Sequence, residues 1–268
     1  MGEHEGRVAI VTGGSRGIGQ GIARALSRQG SAVVVHGQTR DDAQATAAEL
    51  VAAGGRAVAV WGPIDDPATS EYATDAALSH FGQLDTLVTS AGIQRYGDVI
   101  STPLETWNEV FAVNVTGVYL ASRAALPHIR LSAAGSVAII SSVQGVATQA
   151  QVAAYAMSKG ALNALARAMA VDEGQHGVRV NSILPGSVDT PMLRASAGLF
   201  GDSTTESIEQ LLASWGSAHA LGRIGQPAEL GEVVSFITSP RASFVTGSEI
   251  RVDGGLLARI AAALPEKA

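Results

Sequence analysis

The residues Val8-Ala9-Ile10-Val11 are apolar at every position, and they run directly into Thr12-Gly13-Gly14-Ser15-Arg16-Gly17-Ile18-Gly19. A run with no polar face must be covered on both sides, which is the situation of a strand inside a parallel sheet. The theme repeats at 32–35, 57–60, 86–89, 137–140, 178–184 and 249–252. Between these runs lie helical patterns at 17–29, 41–53, 67–81, 103–130, 153–173 and 227–238. Such alternation predicts a doubly wound α/β domain, with a parallel sheet of about seven strands and helices on both faces. The stretch 187–219 breaks the rhythm: it is Ser/Gly-rich and carries one modest helical pattern, at 204–215. Connections of that length tend to be binding loops, so a substrate lid is expected there within one domain spanning 1–268. The tail from 258 onward is expected to be exposed.

Apolar residues make up 46% of the chain but aromatic ones only 4%, so the core must be Ala, Val, Ile and Leu. The absence of cysteine excludes disulfides and thiolate chemistry. The six histidines stand apart from one another, and no metal is expected. A net charge of −6 without a basic run argues against nucleic acid or an anionic membrane as partner. The first residues are charged and lead straight into a strand, and no apolar stretch reads as membrane-spanning in length. A soluble, cytoplasmic protein is expected.

The glycine-rich turn follows the first strand and opens a helix. That is where backbone N–H groups and the helix dipole can receive a pyrophosphate, provided no Cβ stands in the way. Its spacing is Gly-x-x-x-Gly-x-Gly, unlike the general Gly-x-Gly-x-x-Gly dinucleotide fingerprint. An NAD site would place an acid at the end of the second strand to accept from the ribose 2′-hydroxyl. Here that strand ends Val35-His36-Gly37-Gln38-Thr39-Arg40, with no acid before Asp41. Arg16 and Arg40, with His36 as a weaker helper, are in place to reach a 2′-phosphate. NADP is therefore expected, with NAD possible.

Tyr155 and Lys159 stand four residues apart on a predicted helix and share a face. An ammonium beside a phenol favours the phenolate and moves its pKa toward the working range. The same spacing is also what an ordinary solvated helix face offers. Ser142 follows the strand at 137–140, on the carboxyl edge of the sheet where ligands bind.

Taken together, the glycine turn, Ser90-Ala91-Gly92, Asn114, Ser141-Ser142, Tyr155-x-x-x-Lys159 and Pro185-Gly186 resemble the short-chain dehydrogenase/reductase family. The resemblance runs from about 7 to 256 and implies a Rossmann-type fold, hydride transfer between NADP(H) or NAD(H) and a carbonyl/alcohol pair, and a homotetramer. It implies Tyr155 as acid/base, Lys159 as ligand of the nicotinamide ribose and tuner of Tyr155, and Ser142 as polariser of the substrate oxygen. Ser141 would be structural, and Asn114 would hold a water linking Lys159 to solvent. Gly13, Ser15, Arg16, Gly17, Ile18 and Gly19 would bind the pyrophosphate side of the cofactor, with Ala91 and Gly92 beside them and Ile64 against the adenine. Pro185, Gly186, Val188 and Thr190 would touch the nicotinamide.

Two departures stand out. Thr89-Ser90 replaces the family's Asn-Asn, and Pro63 replaces an Asp that would contact the adenine amino group. For the substrate, the expected walls are Gln94, Arg95, Gln144, Gln149 and 192–199. They suggest a sugar or polyol first, a ketone second and a carrier-bound 3-oxoacyl group third. A non-catalytic NADP-binding regulator would be expected to lose one of Ser142, Tyr155 and Lys159, and all three are present. A dehydratase or epimerase with bound cofactor is a further rival.

Overall fold

The computed structural model describes residues 2–259, so the expectation about the tail beyond 259 lies outside the described residues. Seven parallel strands form one sheet in the order β3-β2-β1-β4-β5-β6-β7. They are β1 (Val8–Thr12), β2 (Ala32–Gly37), β3 (Arg56–Trp61), β4 (Thr86–Thr89), β5 (Ser136–Ile140), β6 (Arg179–Pro185) and β7 (Glu249–Val252). Alternate residues of each inner strand feed opposite cores. Val8 and Ile10 join the layer under α3 (Pro67–Phe81), α5 (Gly117–Ile129) and α6 (Ala153–Gly174). Ala9 and Val11 join the layer under α1 (Gly17–Arg28), α2 (Arg40–Ala52) and α9 (Pro227–Thr238). This is why β1 carries no polar side chain until Thr12.

The order reverses between β1 and β4, where Thr12 is paired with Thr89. Connections leaving these neighbours go to opposite faces and open a crevice at their carboxyl ends. Two turns meet in it. The Thr12 hydroxyl accepts from the Ser90 and Ala91 amides at 3.1 and 3.3 Å, fastening the turn after β4 to the turn after β1. Gly13 lies at φ +63°, and a Cβ there would sit 2.8 Å from the Ala91 backbone. Only glycine satisfies both the handedness and the close approach.

The structure differs from the sequence reading in three places. The segment 187–219 holds two helices, α7 (Pro191–Phe200) and α8 (Thr205–Ser217), where one was expected. Thr190 caps α7 by accepting from the Leu193 amide at 3.2 Å, and Pro191 occupies its first turn. Secondly, the helix expected at 103–130 is continuous over Leu104–Ile129 but is interrupted by a π turn (Ala112–Thr116) between α4 (Leu104–Phe111) and α5. That helix is long and apolar enough to cross a membrane, contrary to the expectation that no stretch is. Its Val118, Ala121, Ala125 and Ile129 are buried in the core layer shared with α3 and α6. Finally, His36 is not at the surface. It is 2% exposed, accepts the Gly13 N–H at Nδ1 (3.2 Å) and donates from Nε2 to the Gly62 carbonyl (3.0 Å). Pairing of β2 with β3 (His36 with Val60) covers it, so it props the glycine turn from beneath and cannot reach a 2′-phosphate.

Gly13→Ala should therefore lower the stability by about 1–3 kcal/mol, the usual cost of such backbone strain plus a forced separation of the two turns. Gly54 has a comparable φ of +89° in open space, so Gly54→Ala should cost less. Equal denaturation midpoints for the two variants would contradict this account.

Candidate functional site

Several segments of the chain converge on the crevice. Ser142, after β5, opens a short turn of 3-10 helix (Val143–Gly145), and its Oγ accepts the Gln144 amide at 3.1 Å. With a lone pair so engaged, its O–H proton is free to be donated into the site. Tyr155 lies in the first turn of α6 and lines the same cavity as Ser142. Lys159, one turn further, is 5% exposed; its Nζ lies 5.5 Å from the Tyr155 ring centre and donates to the Ile140 carbonyl at 3.0 Å. Ser141 donates to the Lys159 carbonyl at 2.9 Å, a structural role that ties β5 to α6.

Asn114 is fully buried in the π turn. Its Oδ1 accepts the Ile93 amide at 2.8 Å, while Nδ2 donates to the Ile93 carbonyl at 2.9 Å and to Ser158 Oγ at 3.0 Å. The side-chain amide is thus spent on fixing the loop after Gly92 to α6, and any water contact would fall to the backbone.

For a dinucleotide, the first turn of α1 is well suited. Its N-cap Arg16 makes no side-chain cap bond and the turn holds no acid, so the amides of Gly17, Ile18 and Gly19 meet no competing carboxylate. Gly13 and Ser15 shape the approach, and Ala91 and Gly92 form the opposite wall through the Thr12 latch. Ile64 is 5% exposed and packs beside Gly117, with Pro63 on the surface just before it. Across the crevice, Val188 bridges Gly225 through the amides on either side of it: Asp189 N–H donates to the Gly225 carbonyl and Gly225 N–H to the Ser187 carbonyl. The N–H and C=O of Val188 itself therefore face the other way, as an amide-reading edge requires. Thr190 stands beside Gly17, which brings the segment after β6 up against the glycine turn.

Beside Tyr155 opens a cavity of about 410 Å³. Of the walls named from the sequence, Gln94, Gln144, Gln149, Met192 and Leu193 line it, together with Ile18, Pro185 and Gly186. Arg95 is instead paired with Glu109 at 2.6 Å, and Leu199 is exposed. Tyr96, Trp215, His219 and Leu257 belong to the wall and were not anticipated. Tyr96 packs edge-on against Phe200 of α7, with ring centres 4.8 Å apart.

The comparisons agree with this geometry. Residues 13–257 match the family described as enoyl-(acyl carrier protein) reductase. The chain is 36% identical to a 3-alpha-(or 20-beta)-hydroxysteroid dehydrogenase of Mycobacterium tuberculosis, over 96% of this chain and 91% of that one. It is 35% identical to the cis-4-hydroxycyclohexanecarboxylate dehydrogenase of Sinomonas cyclohexanicum, over 94% and 97%. In structure it resembles the ligand-free aldohexose dehydrogenase of Thermoplasma acidophilum, with a TM-score of 0.89, 32% identity and 98% of each chain covered. The chain is a short-chain dehydrogenase/reductase.

As a member of this family it is an NAD(P)-dependent oxidoreductase acting on alcohol and carbonyl groups. Its electrostatics correct one expectation about Tyr155. Burial pushes the phenol up to about 12, with the Ser142 hydrogen bond pulling it back and the nearby Tyr96 raising it further. Burial also brings Lys159 down to about 8. Both groups are thus moved toward their neutral forms, because burial disfavours the charge on each. Near neutral pH Tyr155 is a phenol ready to donate.

Two outcomes follow from this site. Tyr155→Phe should lower turnover by about 10²-fold or more, with cofactor affinity nearly unchanged, as equilibrium binding alongside steady-state rates would show. In the native enzyme, alcohol oxidation needs the phenolate, whose fraction grows about tenfold per pH unit below its pKa. Oxidation should therefore accelerate from about pH 6 toward pH 8 while carbonyl reduction does not. Parallel profiles in the two directions would contradict the assignment of Tyr155 as the proton carrier.

Proposed function

We propose that this enzyme interconverts a ring-borne secondary alcohol and its ketone with NADP(H), Tyr155 moving the proton and Ser142 holding the oxygen. The cavity wall is the observation that carries the substrate class. Ser142 and Tyr155 meet a space bounded by Val143, Met192, Leu193, Trp215 and Leu257, which suits an apolar alicyclic body. Gln94, Gln144 and Gln149 add amides able to read a second polar substituent. The Gln144 Oε1 is buried without a hydrogen-bond partner, a cost that a donor on the substrate would relieve. The hydroxysteroid and hydroxycyclohexanecarboxylate relatives act on substrates of this kind by their names, which supports the reading. A second reading, an aldohexose, draws on those same amides and on the Thermoplasma neighbour. A carrier-bound acyl group is disfavoured, because Arg95 and Arg194 are each paired with carboxylates and offer no free basic patch to an acidic carrier.

When bound, the nicotinamide supplies or receives the hydride. In reduction the Tyr155 phenol gives its proton to the substrate oxygen while the Ser142 O–H steadies the charge developing there. Lys159 would hold the nicotinamide ribose and, while protonated, favours the phenolate that results. Asn114 keeps the loop after Gly92 in register with α6. We further propose that 187–219 acts as the lid over this cavity, with Arg194 joining α7 to Asp189 and to Glu209 of α8.

NADP is favoured because β2 ends at Gly37 without an acid, and Asp42 is already bonded by Thr39 and Arg16. Arg16 is exposed at the glycine turn, and Arg40 lies over the face of Trp61 at 5.2 Å from the ring centre. Assembly into a tetramer is supported by the face of α6 that carries Met157, Ala161, Ala164, Ala168 and Val171. It is apolar and largely uncovered, and small residues there allow close approach of another copy.

A panel of cyclic secondary alcohols, aldohexoses and open-chain ketones, followed by nicotinamide absorbance, tests the substrate class. The expected order is cyclic alcohols above aldohexoses, and the reverse order would favour the second reading. Arg16→Ala should weaken NADPH by about tenfold or more and NADH far less, since a charge-assisted bond to phosphate is lost. Equal losses would remove Arg16 from 2′-phosphate recognition.

A further inference from the structure

His219 is a titratable group at the cavity that the chemistry above does not use. It is 3% exposed and stands just past the end of α8. Its Nδ1 bonds the Trp215 carbonyl at 3.0 Å, and its Nε2 bonds the Ser187 amide at 3.1 Å. A carbonyl can only accept and an amide N–H can only donate, so the ring is neutral, with its proton on Nδ1. The imidazole is wedged between three segments. A Cβ on Gly186 would come within 2.8 Å of Nε2, and one on Gly254 within 3.5 Å of the ring. One side chain thus joins the carboxyl end of β6, the last turn of α8 and the turn after β7.

The two bonds respond differently to a proton. The bond to Trp215 survives protonation, because Nδ1 donates in either state. The bond to Ser187 does not, because an imidazolium presents N–H against N–H. We infer that His219 is a positioning residue whose neutral form holds the 185–188 turn in its cofactor-facing geometry, and that protonation in acid releases this turn. The inference rests on the reading that the turn meets the nicotinamide.

The charged and titratable groups around the ring have other partners. The Asp253 carboxylate accepts from the Gly255 and Leu257 amides, and Arg259 donates to the Ser217 carbonyl. Asp189 is held by Arg194, and Arg223 by Glu229. Tyr155 lies across the cavity. Among the described residues none of these bonds the imidazole, so acid acts on the Ser187 contact directly.

The test is the dissociation constant of NADPH and of NADH, read by nicotinamide fluorescence from about pH 7 to about pH 5, where histidine is the side chain that ordinarily changes charge. The native enzyme should bind about tenfold more weakly at the acid end. His219→Leu should bind about tenfold more weakly already at the neutral end and lose the acid dependence. His219→Gln, which retains an acceptor, should recover affinity without recovering the dependence. Hydrogen exchange at 185–190 should be faster in His219→Leu than in the native protein. Affinity that is flat with pH in the native enzyme, or an unchanged slope in His219→Gln, would overturn the proposal and leave the oxidoreductase reading standing. Should His219→Leu not fold, the native and His219→Gln profiles decide alone. Binding of neither cofactor at any pH would overturn the cofactor reading and this inference together.

Discussion

The parallel pairing of β1 with β4 at the centre of the sheet is what the rest of the structure depends on. Because strand order reverses there, the connection after β1 crosses one face and the connection after β4 crosses the other. The gap between them is the one place where the two glycine-bearing turns can meet a ligand without the sheet opening. The Thr12 hydroxyl, holding the Ser90 and Ala91 amides, makes the gap a rigid feature. His36 supports the same turn from below through the Gly13 amide. The cradle is thus built mostly from backbone groups fixed by side chains beneath it, which leaves its upper surface clear.

The reactive groups follow from the same layout. β5 delivers Ser142 to the carboxyl edge, and α6 returns past it with Tyr155 and Lys159 one turn apart. Their burial has a chemical effect that proximity alone does not convey. A phenol and an ammonium that lose water both drift toward neutrality, and Tyr155 and Lys159 do so in opposite directions on the pH scale. A ligand that brings charge and hydrogen-bond acceptors to Lys159 restores the ammonium and so lowers the cost of a tyrosinate next to it.

Much of this was legible in the sequence, because the features that carry it are local. Runs apolar on both faces announced the strands, and the Gly, Ser, Tyr and Lys positions sit where their spacing implied. The rest depended on packing across the chain. His36 read as a weaker helper toward a 2′-phosphate, but the register of β3 buries it. α7 was hidden by Gly198 and its small neighbours, although Thr190-Pro191 is a fair start signal. Trp215, His219 and Leu257 reach the cavity only because the last third of the chain folds back over β6, and no local pattern reports that return. The Tyr155 shift was misjudged because spacing shows a neighbour and not the loss of water.

The π turn at Ala112–Thr116 has a consequence for which sequence changes this chain can tolerate. Such a turn accommodates one residue more than a regular helical turn does. Within it Asn114 faces Ile93 and Ser158, and just beyond it Gly117 comes against Ile64. Because the wider turn absorbs that extra residue, deleting one there would restore a regular helix with α4 and α5 in nearly their present rotation. The helix would survive with its buried and exposed faces still matched across the join, and what would be lost is the local widening that turns the Asn114 amide toward Ile93 and Ser158. The requirement at this point is on local geometry as well as on side-chain identity, so a single-residue gap here would spare the fold and cost the fastening of the loop after Gly92 to α6.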